Sequence, residues 1–241
     1  MRNLRIAFGL MTTLPFRLPE DWSAGDSGRA AVWYPMVGLV IGILTWLTWN
    51  GAGLLFPPLV VGIISLIAWV ALTGGLHLDG LADCCDGLFV SAMPERRLEI
   101  MKDPHVGAFA VMGLILILFL KAAALASLTA VSGFGIVLAA SVARWCILPA
   151  AYLPLARSSG MAADFKSGLR RSSILWSAIV PFVFMIPLGL RGVLAALVGV
   201  GSAALVMWLA KVRIGGVTGD VFGMIVEVVE VAVLLTLLIG A

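Results

Sequence analysis

Apolar residues run through this chain in long blocks, and its charged positions fall in short clusters between them. From Ala30 to Leu76 there is no Asp, Glu, Lys or Arg, a run of 47 residues. One crossing of a bilayer core takes about 20 residues. The run therefore reads as two helices, near 31–49 and 59–76, divided at the turn residues Asn50-Gly51-Ala52-Gly53 and Pro57-Pro58. Later blocks predict spans at about 107–126, 134–154, 173–190, 193–210 and 221–240, with Ser132-Gly133 and Arg191-Gly192 in turns. Residues 4–16 are too short to cross and are broken by Pro15, which suits an interfacial or re-entrant helix. The expected fold is all-α: a polytopic integral membrane bundle of about seven transmembrane helices, one membrane-embedded domain over residues 1–241.

Composition agrees. The chain is 61% hydrophobic and 12% charged, whereas soluble domains carry about 25% charged residues. The net charge of +3 is too small to argue for nucleic acid, so the basic residues read as topology signals in a lipid bilayer. With the N-terminus inside, thirteen of the sixteen lysines and arginines fall in inner segments. Only Arg191 lies in an outer loop, and Lys121 and Arg144 lie within spans. Every acidic residue also falls on or near the inner side, which puts the chemistry on the cytoplasmic face. Cys84, Cys85 and Cys146 form no disulfide framework and read as reduced thiols. No small-residue cleavage site follows the first apolar stretch, so a cleaved signal peptide is not expected.

Two acidic stretches carry the candidate chemistry. In Gly74-Gly75-Leu76-His77-Leu78-Asp79-Gly80-Leu81-Ala82-Asp83-Cys84-Cys85-Asp86-Gly87, a helix sets Asp79, Asp83 and Asp86 at i, i+4 and i+7, on one face. Like charges so close call for a cation between them, and oxygen ligands favour Mg²⁺, Mn²⁺ or Ca²⁺. In GGVTGDVFGMIVEVVE, Asp220, Glu227 and Glu230 share a face at i, i+7 and i+10. A charge within a span costs at least ~2.5–3.5 kcal/mol, so Glu227 and Glu230 need a cation, a proton or a polar cavity. Converging at the cytoplasmic edge, the two sets would make a site for one or two metal ions that clamp a phosphate and its leaving group.

Other residues extend the set. In Met101-Lys102-Asp103-Pro104-His105, Lys102 suits a phosphate, and Asp103 suits a helix cap or a metal. Arg144 has no charged neighbour in sequence, so it needs a carboxylate or a substrate phosphate. Phe165, Lys166 and Arg170 lie with Gly160 and Gly168 on a loop able to fold over substrate. Bland readings stand beside these: a juxtamembrane loop with Asp79 as a helix cap, structural ion pairs for Asp220, Glu227, Glu230 and Arg144, and ordinary inside-loop charges for Lys102 and Lys166.

GGLHLDGLADCCDG, MKDPHVGAFA, Ala143-Arg144-Trp145, GGVTGDVFGMIVEVVE and the opening RIAFGLMTTLPF together resemble the cobalamin synthase, or adenosylcobinamide-GDP ribazoletransferase, family over nearly the whole chain. The resemblance implies the last step of adenosylcobalamin assembly. Adenosylcobinamide-GDP is joined to α-ribazole or its 5′-phosphate, with release of GMP and with Mg²⁺ as cofactor, in the prokaryotic inner membrane. Carried over by position, His77, Asp79, Asp83 and Asp86 match one signature, and Asp220, Glu227 and Glu230 the other. The expected roles give the metal to Asp79, Asp83, Asp86, Asp220, Glu227 and Glu230. Lys102, Arg144 and Lys166 neutralise the substrate phosphates, and Asp103 joins them in the cofactor-binding set. His77 or a free carboxylate takes the hydroxyl proton. A homo-oligomer and association with other corrinoid-assembly enzymes stay open.

Two rivals are weighed. A CDP-alcohol phosphotransferase wants Arg after Asp-Gly-x-x-Ala, where this chain has Asp83 after Leu81-Ala82. A cation- or proton-coupled transporter would hold its acids near the bilayer midplane.

Overall fold

The turn at Gly74-Gly75 decides where the chain leaves its long apolar run. Both residues are left-handed, at φ +62° and +72°, a conformation that glycine alone adopts without strain. They turn the chain by 92° between two helices. This computed structural model describes residues 1–239, and its helices follow the apolar blocks. Along the chain they are α1 (Arg2–Met11), α2 (Asp26–Ala30), α3 (Tyr34–Gly53), α4 (Pro58–Thr73), α5 (Leu76–Phe89), α6 (Pro94–Ile100) and α7 (Ala108–Ser127). There follow α8 (Gly135–Ala150), α9 (Met161–Gly168), α10 (Arg171–Ser177), α11 (Ile179–Met185), α12 (Gly189–Ile214) and α13 (Gly219–Leu237). Among the described residues the sole β pairing is an isolated parallel bridge between Leu155 and Val217.

The protein is all-α, as expected. Four stretches are long and apolar enough to cross a membrane: Asp26–Gly53, Ala108–Ser127, Ser132–Ala150 and Arg171–Ile214. The bent pair α4–α5 makes a fifth if it counts as one broken span. The expected number was about seven, and two features account for the difference. The block at 173–190 is broken into α10, α11 and a short 3₁₀ turn, each too short to cross alone. The last block, α13, carries three carboxylates. At ten residues α1 spans about 15 Å, half a bilayer core. It buries Ile6, Ala7, Phe8 and Met11 and is tied to the start of α2 by Arg2, whose guanidinium meets Asp26 at 2.8 Å.

Helix α13 is the centre of the bundle, packed against α5, α7, α8 and α12. Its start is set by Thr218, whose hydroxyl accepts the Val221 N–H at 3.3 Å, and by Asp220 in its positive first turn. From Val221 to Val226 every side chain is buried. Small residues let neighbouring backbones approach, the usual means of helix association in lipid. At the α5–α13 crossing a Cβ on Gly80 would stand 2.8 Å from the Asp220 carbonyl oxygen. A Cβ on Gly223 would stand 3.0 Å from that of His77. Two glycines thus bring the two acidic stretches into backbone contact.

Candidate active site at the crossing of α5 and α13

Asp79, Asp83 and Asp86 do lie on one helix, as their spacing predicts. Asp79 is exposed and Asp83 half-buried, and neither carboxylate has a hydrogen bond or ion pair among the described residues. Asp220 stands at the head of α13, with the Thr218 hydroxyl 3.1 Å from its Oδ2. The glycine crossing puts Asp79 and Asp220 on the wall of one cavity of about 400 Å³. His77 lines it too. The His77 ring is almost fully buried, and its Nε2 has no partner among the described residues.

One cation reaches this group, and local pattern does not reveal it. Arg157 Nη1 lies 3.6 Å from Asp220 Oδ2, and its Nη2 donates to the Leu98 carbonyl at 2.9 Å. The Leu155–Val217 bridge delivers it: Val217 N–H donates to Pro154 at 2.9 Å and Ala156 N–H to Val217 at 3.1 Å. That pairing joins the segment after α8 to the one between α12 and α13 and sets Arg157 against the carboxylate three residues beyond Val217.

Three expected metal ligands are placed elsewhere. Asp86 accepts the N–H groups of Gly107 at 2.7 Å and Ala110 at 2.9 Å. It is the cap of α7, occupying two N–H groups that a helix start leaves unbonded. Glu227 meets Lys121 at 2.9 Å. Glu230 meets both Lys121 and Arg144. All four of these side chains are nearly or wholly buried, and Lys121 also lies 4.5 Å over the Trp69 ring. Two acids and two bases close a neutral group inside the bundle, the low-cost state for charges out of water.

None of the expected phosphate contacts lines the cavity, nor does Asp103. Arg144 does not line the cavity and belongs to that buried group. Lys166 donates to the Leu153 carbonyl at 2.8 Å. Lys102 is exposed on the loop before α7. Asp103 accepts the His105 N–H at 2.9 Å and its ring Nδ1 at 2.5 Å. Those two bonds, the backbone one first, hold its carboxyl below the usual carboxylate range.

Sequence reasoning also passed over Asp164 and Trp22, both on the cavity wall. The glycine-bounded stretch around Phe165 is helix α9, and Gly160, Met161, Asp164 and Phe165 all face the cavity.

The donor set suits a hard cation: carboxylate oxygens, with Cys84 and Cys85 buried. Among the described residues no three His, Cys, Asp or Glu side chains close around one point. Mg²⁺ does not ask for that, because it is commonly held by one or two carboxylates together with substrate phosphates and water.

Comparison with known proteins decides the family. The cobalamin-5-phosphate synthase family model matches residues 3–238. The chain belongs to that family. It is therefore a transferase of cobalamin biosynthesis. Similar proteins include the adenosylcobinamide-GDP ribazoletransferases of Pseudomonas paraeruginosa (39% identical, 98% of each chain covered) and Stutzerimonas stutzeri (40%, 98% of each). That of Brevibacillus brevis is 39% identical, covering 92% of this chain and 93% of its own. No solved structure matches the chain.

Proposed function

We propose that this protein joins adenosylcobinamide-GDP to α-ribazole, or its 5′-phosphate, with release of GMP, on the cytoplasmic face of a prokaryotic inner membrane. One observation carries the reading above all: Asp79 and Asp220, from two acidic stretches some 140 residues apart, line a single cavity. The positive-inside pattern supports the cytoplasmic side.

In the reaction a ribose hydroxyl of the acceptor attacks the phosphorus that bears the cobinamide. A new P–O bond forms, the bond to the bridging oxygen breaks, and GMP leaves with that oxygen. Asp79, Asp83 and Asp220 would hold Mg²⁺, which supplies charge neutralisation to the pyrophosphate. Arg157, held by Leu98 and facing Asp220, is placed to receive a phosphate oxygen. The hydroxyl proton passes to His77 or to Asp79, both on the cavity wall. Positioning and electrostatics supply most of the rate in such transfers.

GMP release from adenosylcobinamide-GDP by purified protein in lipid, with and without α-ribazole, tests this directly. Release that requires the acceptor supports the transferase. Cation or proton flux in liposomes without any release would put a transporter in its place.

A further inference from the structure

The cavity is uneven, and its composition says which part of the reaction enters it. At about 400 Å³ it falls near the small end of the ~300–1,000 Å³ usual for ligand sites. That is room for one nucleoside and not for a corrinoid ring. Tyr34, Phe165 and Phe222 form a continuous aromatic wall from α3, α9 and α13, with centroids 5.5 Å and 5.6 Å apart. Trp22 lines the same space with 40% of its surface free, leaving a ring face open to stack on a ligand.

The polar groups narrow the choice. Asp164 is fixed in orientation, its Oδ1 accepting the Gly25 N–H at 2.7 Å and its Oδ2 the Ser27 hydroxyl at 2.6 Å. Each oxygen keeps acceptor capacity for a further donor. With Asp79 and Asp220 the lining holds three carboxylates, and among the described residues no lysine or arginine joins them. Such a wall accepts hydroxyl protons and, apart from an ion on Asp79 and Asp220, offers a phosphate no cation. A sugar with free hydroxyls on a flat, uncharged base matches it, and the guanosine diphosphate end of the donor does not.

We infer that this cavity is the acceptor subsite, taking the planar base of an uncharged riboside against Trp22 and the aromatic wall, with its ribose hydroxyls on Asp164 and Asp79. The inference rests on the transferase reading and names where within it the acceptor sits. It leaves the donor pyrophosphate to the rim where Arg157 meets Asp220.

The test uses full-length protein in nanodiscs with α-ribazole as the probe. Trp22→Ala is expected to raise the KM for α-ribazole roughly tenfold, the scale of one base–aromatic stack. The KM for adenosylcobinamide-GDP should stay within about twofold of wild type on the same argument. Asp164→Asn should move the same KM, and Trp22→Phe should restore it. Tryptophan emission gives a reading free of turnover. In an Asp83→Asn background α-ribazole should quench it, and the quench should vanish on adding Trp22→Phe. Quenching by GMP in place of α-ribazole would overturn the assignment, as would a KM shift confined to the corrinoid substrate. Normal turnover with an unmoved acceptor KM sinks the subsite alone. Quenching without GMP release in wild type sinks the transferase alone.

Discussion

Helix α13 carries carboxylates in two settings, one at its head and one in its middle. At its head Asp220 shares a cavity with Asp79, near a single guanidinium 3.6 Å away. Two turns further in, Glu227 and Glu230 meet Lys121 and Arg144 in a sealed group with equal numbers of each sign. The acids have similar chemistry, so what separates their roles is the balance of cations within reach and the access of water. The mouth keeps unspent negative charge that a substrate-borne cation can answer. The interior keeps none, and holds α7, α8 and α13 together.

The largest effect should come from the mouth. Asp83→Asn is expected to lower GMP release by at least about a hundredfold with no loss of thermal stability in detergent, since it relieves crowding among like charges. The interior should behave in the opposite way. Glu230→Gln leaves Lys121 and Arg144 short of a buried counter-charge and should cost about 3–5 kcal/mol, read as a lower midpoint for detergent-phase unfolding. Replacing the pair together, Glu230→Leu with Arg144→Met, should recover most of that loss. Recovery of that kind would identify a structural pair.

A third change tests the hinge between the regions. Gly80→Ala sets a Cβ 2.8 Å from the Asp220 carbonyl and should cost about 1–3 kcal/mol as α5 and α13 part, with GMP release falling alongside. The smallest effect is expected at Asp86, where Asp86→Ala removes the cap of α7 for about 1 kcal/mol and leaves GMP release within a few-fold of wild type. A collapse of activity there would return Asp86 to the metal group.

Much of this was legible from residue order. The charge-free run and the later apolar blocks mark the helices, and the i, i+4, i+7 spacing gives the acidic face of α5. The two acidic stretches meet through Gly80 and Gly223, glycines inside the motifs whose role appears only once the helices are packed. Partners far apart in sequence were not legible. Arg144 and Glu230 are 86 residues apart, and nothing local says that each answers the other. Asp86 reads as a third carboxylate on a face until the helix it caps, 21 residues on at Gly107, is in place. Arg157 is one of four basic residues within 156–172, and only the bridge to Val217 brings it to Asp220. A face on a helix is a local property, whereas the neutralisation of a buried charge depends on tertiary contact.

We propose that the mouth carboxylates, and not the interior ones or Asp86, bind the divalent ion. Mn²⁺ binding followed by electron paramagnetic resonance on purified protein in nanodiscs measures it without turnover. Wild type is expected to bind the ion, Asp83→Asn and Asp220→Asn each to weaken binding at least about tenfold, and Asp86→Ala to leave it unchanged. Undiminished binding in the first two variants, or its loss in the third, would contradict the account.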